Sequence, residues 1–207
     1  MSQFGEYLKP FMSSTFGNDR PRDFKTVAGS PVESLYCDSN GGYFWGRALL
    51  IRPIDFCYSA PLTVSAWNSP ELWKSNYGAI CSECRFFAED TFGIQVGILD
   101  DNVVQFDPET ATISTVGHSL EEWLGHLLAD PDFHTGAPVL RAWEQKHGLI
   151  PPGNRLVPKQ LFMLGGEFHS SNMVSKRDVD GMRLRAQFWK LTKDLPDGQT
   201  IAFHVVE

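Results

Sequence analysis

Residues 84–116 read CRFFAEDTFGIQVGILDDNVVQFDPETATISTV, and this stretch decides the fold. Cys84–Ala88, Phe92–Leu99 and Val103–Phe106 are short runs rich in aromatic and branched side chains, which suit the pleated surface of a strand. Asp100-Asp101-Asn102 separates two of them, and these side chains tolerate the conformations of a tight hairpin turn. Asp107-Pro108-Glu109-Thr110 then fits a type I turn with proline second, leading into a fourth strand near Thr112–Val116. Short strands joined by consecutive turns predict an antiparallel meander.

The clearest helix begins just downstream. Ser119 and Glu122 form an S-x-x-E capping box, in which each side chain satisfies a backbone N–H at the helix start. Leu120, Trp123, Leu124, Leu127 and Leu128 then make one apolar stripe, and Asp130-Pro131 ends it. A second helix is expected from Ala137 to His147, stopped by Gly148, and a third with Val179, Met182, Ala186 and Trp189 on one face. Residues 151–160 (PPGNRLVPKQ) read as irregular, Leu161–Leu164 as a short apolar run closed by Gly165-Gly166, and Leu195-Pro196-Asp197-Gly198 as a turn before a last strand with Ile201, Phe203 and Val205 on one side.

Upstream, residues 17–31 read as a polar loop after a short N-terminal helix. One or two helical turns over Pro31–Cys37 are closed by Asn40-Gly41-Gly42, where glycine supplies the left-handed conformation. Tyr43–Ile51 reads as one strand, and Ser69-Pro70 as the cap and first turn of a short helix. The expected fold class is therefore α+β, a single domain with a mainly antiparallel sheet flanked by helices.

The composition bounds the function. With 207 residues, 42% hydrophobic and 21% charged, the chain can bury a core and is neither disordered nor fibrous. It contains no apolar run of 18 residues, and Glu6, Lys9 and Pro10 interrupt any signal-peptide core, so a cytoplasmic protein is expected. Four cysteines make no disulfide framework. The net charge of −7 is unevenly spread: Phe86–Leu140 has ten acids and no Lys or Arg. Phosphate backbones need clustered bases, so direct nucleic-acid binding is not expected. Such a stretch favours encounter with a basic partner, or is simply a solvated face.

No motif names a reaction. Cys81-Ser82-Glu83-Cys84 has C-x-x-C spacing but lacks a second ligand pair for zinc and leads into a strand rather than a redox helix. His118 and His126 are too far apart for ligands on one helix face, and His204 reads as a surface residue of the last strand. The acids near residue 100 lack calcium-loop spacing. No catalytic residue, metal or other cofactor is therefore expected, although acids brought together by folding could still serve a carboxylate- or metal-dependent hydrolase. Among the six tryptophans, Trp67 lies in the polar segment SAWNSPELW and, with Trp73, is a candidate anchor for a partner as well as for the core.

Several segments, taken in order, resemble the SUKH superfamily, which includes fungal cell-wall synthesis regulators and bacterial immunity proteins. They are LYCDSNGGYF (35–44), Phe86–Leu128, LFMLGGEFHSSNM (161–173) and LPDGQTIAF (195–203). The resemblance implies a SUKH-like domain over 32–207, with 1–31 as an extension and a curved sheet flanked by helices. It also implies a non-enzymatic protein that neutralises a cognate toxin, often a basic nuclease, with a scaffold or regulatory module as the alternative. The expected contact surface is acidic, formed by Glu89, Asp90, Asp100, Asp101, Asp107 and Glu109, with Trp67 and Trp73 as anchors. Segments 17–31 and 54–68 have no place in the family pattern.

Overall fold

Adjacent residues Phe86 and Phe87 enter different hydrophobic cores, because successive side chains of a strand leave opposite faces of a sheet. Both faces are covered, which is why the central strands read as nearly continuous apolar runs. The structure, a computed structural model, describes residues 7–17, 20–58 and 61–196.

Seven strands pair antiparallel in chain order: β1 (Met12–Thr15), β2 (Gly42–Phe44), β3 (Leu49–Ile51), β4 (Arg85–Glu89), β5 (Gln95–Leu99), β6 (Asn102–Asp107) and β7 (Thr112–Gly117). The expected meander is its centre, with Leu99 opposite Asn102 and Asp107 opposite Thr112. Asp100 and Asp101 both have positive φ, the geometry of a two-residue hairpin turn. A two-stranded sheet of β8 (Asn154–Pro158) and β9 (Met173–Arg177) lies apart from it.

Five α-helices complete the described fold: α1 (Val64–Trp67), α2 (Leu120–Ala129), α3 (Pro131–Thr135), α4 (Ala137–His147) and α5 (Asp178–Thr192). Leu120, Trp123, Leu124 and Leu127 of α2 join Phe87, Val96 and Val103 in one core. Val179, Met182 and Ala186 of α5 join Trp67, Trp73, Phe86, Val104 and Phe106 in the other. α4 packs Leu140 and Trp143 with Phe92, Leu156 and Met173, seating the small sheet. The α+β class is as expected, and it rests on this antiparallel meander with helices over its faces.

Several local expectations differ from the structure. Tyr43–Ile51 is a hairpin, because Trp45, Gly46 and Arg47 all take positive φ and reverse the chain. The segment after Ser69-Pro70 is a turn followed by a 3-10 helix over Lys74–Tyr77. Residues 154–158 form β8 despite the proline among them: Pro158 ends the strand, where its missing N–H interrupts no ladder. Asp130 does end α2, but its side chain accepts from Phe133 N and starts the unforeseen α3. In the capping box, Ser119 accepts from Glu122 N, whereas the Glu122 carboxylate takes His118 N at 2.7 Å. Within the expected 1–31 extension, a 3-10 turn at Lys9–Phe11 leads into edge strand β1, and Leu8 and Val27 lie in the main core. The last expected strand and part of the turn before it lie outside the described residues.

Asn40-Gly41-Gly42 is a clip rather than a helix cap. The buried Asn40 side chain accepts from Ile54 N and Asp55 N and donates to Asp55 O, pinning two distant segments together. Gly41 has φ +75, and a β-carbon there would lie 2.5 Å from Ile51 O and 2.9 Å from Arg52 O. Strain and overlap should combine in Gly41→Ala, which is expected to cost more than about 2 kcal/mol and lower Tm by several degrees. A thermal melt of the variant checks this, and an unchanged Tm would rule out the close approach.

Candidate functional site

Glu89, at the end of β4, is 1% exposed and accepts from both faces of its surroundings. Arg155 Nε of β8 reaches Oε1 at 2.8 Å, and Arg52 Nη2 reaches Oε2 at 2.9 Å. Gln95 Nε2 donates to Oε2 as well, while Gln95 Oε1 accepts from the indole of Trp67 at 2.7 Å. The Arg52 guanidinium lies 3.4 Å from the Trp67 ring centroid and also pairs with Asp178 Oδ2 at 3.1 Å. One buried network therefore joins the large sheet, the small sheet, α1 and α5.

The carboxyls of this region are set apart by their partners. Burial alone would raise Glu89, but Arg52 and Arg155 hold it below the usual carboxylate range. Burial keeps Asp178 above that range, since the arginine it uses is shared with Glu89. Asp90 is pushed up to about 7 by burial, against hydrogen bonds from Ile94 N and Phe92 N and the charges of Arg155 and Arg185. Glu109 is also raised by burial and accepts from Met163 N, tying the 161–164 segment to the sheet.

The eight expected contact residues thus separate. Glu89, Asp90 and Glu109 are buried, and Trp67 and Trp73 are fully enclosed, so none of these five belongs to an open contact face. Trp73 donates its indole N–H to Trp67 O, stacks on Phe106 and packs against Phe86 and the edge-on Tyr77, which makes it a core residue. Their polar neighbours in sequence gave no sign of this, because the covering elements are distant in the chain. Asp107 is half-buried and accepts from Glu109 N within its turn. It sits at the far end of β6 from Asp101, about 20 Å away at the rise of an extended strand.

Asp100 and Asp101 are exposed, and folding adds acids to them. Val103 pairs with Gly117, and His118 Nδ1 contacts Asn102 Oδ1 at 2.9 Å. The first turn of α2, with exposed Glu121 and Glu122, is therefore carried to the same end of the sheet. Glu83, Asp100 and Asp101 border a cavity of about 420 Å³ in which Arg85 is the one lining base among the described residues. The result is an acidic rim. Sequence reasoning missed Glu83, Glu121 and Glu122 as part of it, and missed Arg52, Arg155 and Asp178 as the buried counter-charges. Arg52 in LLIRPI and Arg155 in NRLVP did carry a signal, each being a lone charge against apolar neighbours.

Cys81 and Cys84 are buried free thiols, both pushed up by burial, and Cys81 lies beyond the range of a reactive thiol at about 11. Among the described residues, no three His, Cys, Asp or Glu side chains are grouped to hold a metal ion, and no helix is long and apolar enough to cross a membrane.

These features define a class by architecture: an α+β domain built on an antiparallel meander, with a buried ion network beneath an acidic rim. The fold is similar to the crystal structure of Atu4351 from Agrobacterium tumefaciens, with a TM-score of 0.54, 13% identity and 88% of each chain covered. At that identity the likeness concerns the fold alone. No family model and no curated protein matches the chain.

Two outcomes follow from the network. Glu89→Gln leaves the buried Arg155 guanidinium without its carboxylate and Arg52 with Asp178 alone, and should destabilise by about 3–5 kcal/mol, read by chemical denaturation. For Asp90, the folded-state value lies above the ordinary value of 3.8, so its stabilising effect is complete below about pH 4 and is lost as pH rises to about 7. Asp90→Asn keeps an acceptor for Phe92 and Ile94 but removes the titration. Its Tm advantage over the parent should grow between about pH 5 and 7 and then level off; a constant difference across that range would contradict the raised carboxyl.

Proposed function

We propose that this chain is an intracellular immunity-type binding protein that neutralises a basic protein toxin by occupying it, without chemistry of its own. The observation that carries the reading is the acidic rim: Glu83, Asp100, Asp101, Glu121 and Glu122 are all exposed at one end of the sheet. The ordered resemblance to the SUKH superfamily supports the same reading. A rim of this kind raises the local concentration of a cationic partner and orients it before contact, which speeds association and sets specificity. A toxin that cleaves nucleic acid must itself be basic where it grips phosphates, so its working cleft is the complementary surface.

The rim is also well placed mechanically. Asp100 and Asp101 stand on a tight turn between two paired strands, and Glu122 is held by His118 N. Such carboxylates lose little conformational freedom on binding, and preorganisation of this kind is what converts charge into affinity.

The test is co-expression with the product of the adjacent gene, followed by purification and stopped-flow association. A stoichiometric complex that protects cells is expected. Changing Asp100, Asp101 and Glu121 together to Lys should slow association on the order of tenfold or more at low salt and flatten its salt dependence. A complex whose association rate is untouched by the triple change would move the contact away from the rim. No complex and no protection would remove the immunity reading.

A further inference from the structure

Between the sheet and helices α2 and α3 lie two cavities of about 310 and 390 Å³ that share Asp90, Ile94, Gln105 and His134 as walls. The shared residues place the two side by side. The smaller borders Glu122 of the acidic rim; the larger is a cleft that opens between Phe133, 79% exposed, and Phe168, 64% exposed. Exposed phenylalanines at a mouth are unusual, since burying such rings is strongly favourable.

The walls are chemically specific. Phe168 lies flat on Phe162 at 3.7 Å and 8°, and Phe92 meets both rings edge-on at 5.5 and 5.7 Å. This packing fixes an aromatic wall in which Phe92 is buried and Phe168 is the ring left exposed to a guest. Asp90 is 7% exposed and spends one oxygen on Phe92 N and Ile94 N; its other oxygen has no hydrogen-bond partner among the described residues. His134 is lowered by burial, so at neutral pH its ring is uncharged. Among the described residues no Lys or Arg lines either cavity, and the arginines whose charge acts on Asp90 hydrogen-bond elsewhere, Arg155 Nε to Glu89 and Arg185 to the Phe92 carbonyl, with only Arg155 Nη2 left without a partner. Asp132, also at the mouth, is shared with Arg141 at 3.2 Å.

A buried carboxyl with an unused acceptor, set against fixed aromatic rings and with no Lys or Arg among the described lining residues, complements a positively charged organic group. We propose that this cleft binds a guanidinium or alkylammonium group, with Asp90 as its counter-ion and the Phe92–Phe168 wall as its aromatic face. The site goes beyond the rim reading: a free small cation and an arginine or lysine side chain of a partner both supply the required chemistry. The charges acting on Asp90 are Arg155 from β8 and Arg185 from α5; the other titratable groups lining the two cavities are His118, Glu122 and His126 around the smaller, Asp132 at the larger, and His134 at both. A bound cation favours the ionised carboxyl, so binding strengthens as pH rises through about 7 and releases a proton below it.

The experiment is an amide chemical-shift titration of the full chain. Its probes are N-acetylarginine methylamide and the neutral citrulline equivalent, then a Gly/Ser peptide carrying one Arg or one citrulline. Saturable shifts at Phe92, His134, Gly136 and Phe168 with arginine but not citrulline are expected. Response to the amino-acid amide assigns the site to small cations, and response to the peptide alone assigns it to a partner's side chain. Asp90→Asn, which retains the acceptor for Phe92 and Ile94, should weaken binding on the order of tenfold, and exposed Phe168→Ala by several-fold. Equal response to arginine and citrulline, no saturation by any probe, or full affinity in a natively folded Asp90→Asn would each overturn the proposal. None of these outcomes depends on a toxin complex, so the cleft and the rim are judged separately.

Discussion

The carboxylate of Glu89 is the point from which the arrangement of this protein is set. It stands at the end of β4 and takes Arg52 on one oxygen and Arg155 on the other, so a strand of the large sheet is held to a strand of the small one. Arg52 continues the network to Asp178 at the start of α5 and lies on the face of Trp67 from α1. Desolvating these charges offsets much of their attraction, so the network adds less to net stability than its short distances suggest. Its contribution is positional. Apolar contacts alone would let the small sheet slide, whereas a guanidinium donating through a defined nitrogen to a defined oxygen fixes one register.

That constraint divides the acidic segment into two populations. Inside, Glu89 is neutralised by arginines brought from outside the window, and Glu109 serves as an acceptor for the 161–164 segment. Outside, Asp100, Asp101, Glu121 and Glu122 stand exposed at one sheet end. The arginines absent from Phe86–Leu140 are therefore supplied by folding, at Glu89 in the interior and at Asp132 on the surface. What remains on the surface is the uncompensated part, and it is this remainder that suits a basic partner.

Glu89 and Asp90 are neighbours in sequence with opposite electrostatics. Strand geometry turns Glu89 towards the arginines, while Asp90 begins the tight turn to Ile94 and lines the cleft beneath α2 and α3. A one-residue step thus separates a locked anion from a carboxyl poised near neutrality. The network holds the strand, the strand holds the turn, and the turn presents Asp90 to the aromatic wall.

The readable features were those with short-range causes. The Asp100-Asp101 turn, the Ser119 cap and the stripe of α2 are each specified by a few consecutive residues, and they formed where expected. Tyr43–Ile51 and residues 154–158 were misread because local composition was overruled: three left-handed residues bent the first, and pairing with Met173–Arg177 straightened the second. By itself the sequence determined the antiparallel meander, the α+β class and the segregation of acidic charge, since periodicity, turn chemistry and composition are local properties. Only tertiary structure decided which acids are buried, which arginines meet them, and that Trp67 and Trp73 serve the core. Those outcomes depend on contacts between residues up to 126 positions apart, as in Arg52 and Asp178, and desolvation is fixed only once such partners close over a site.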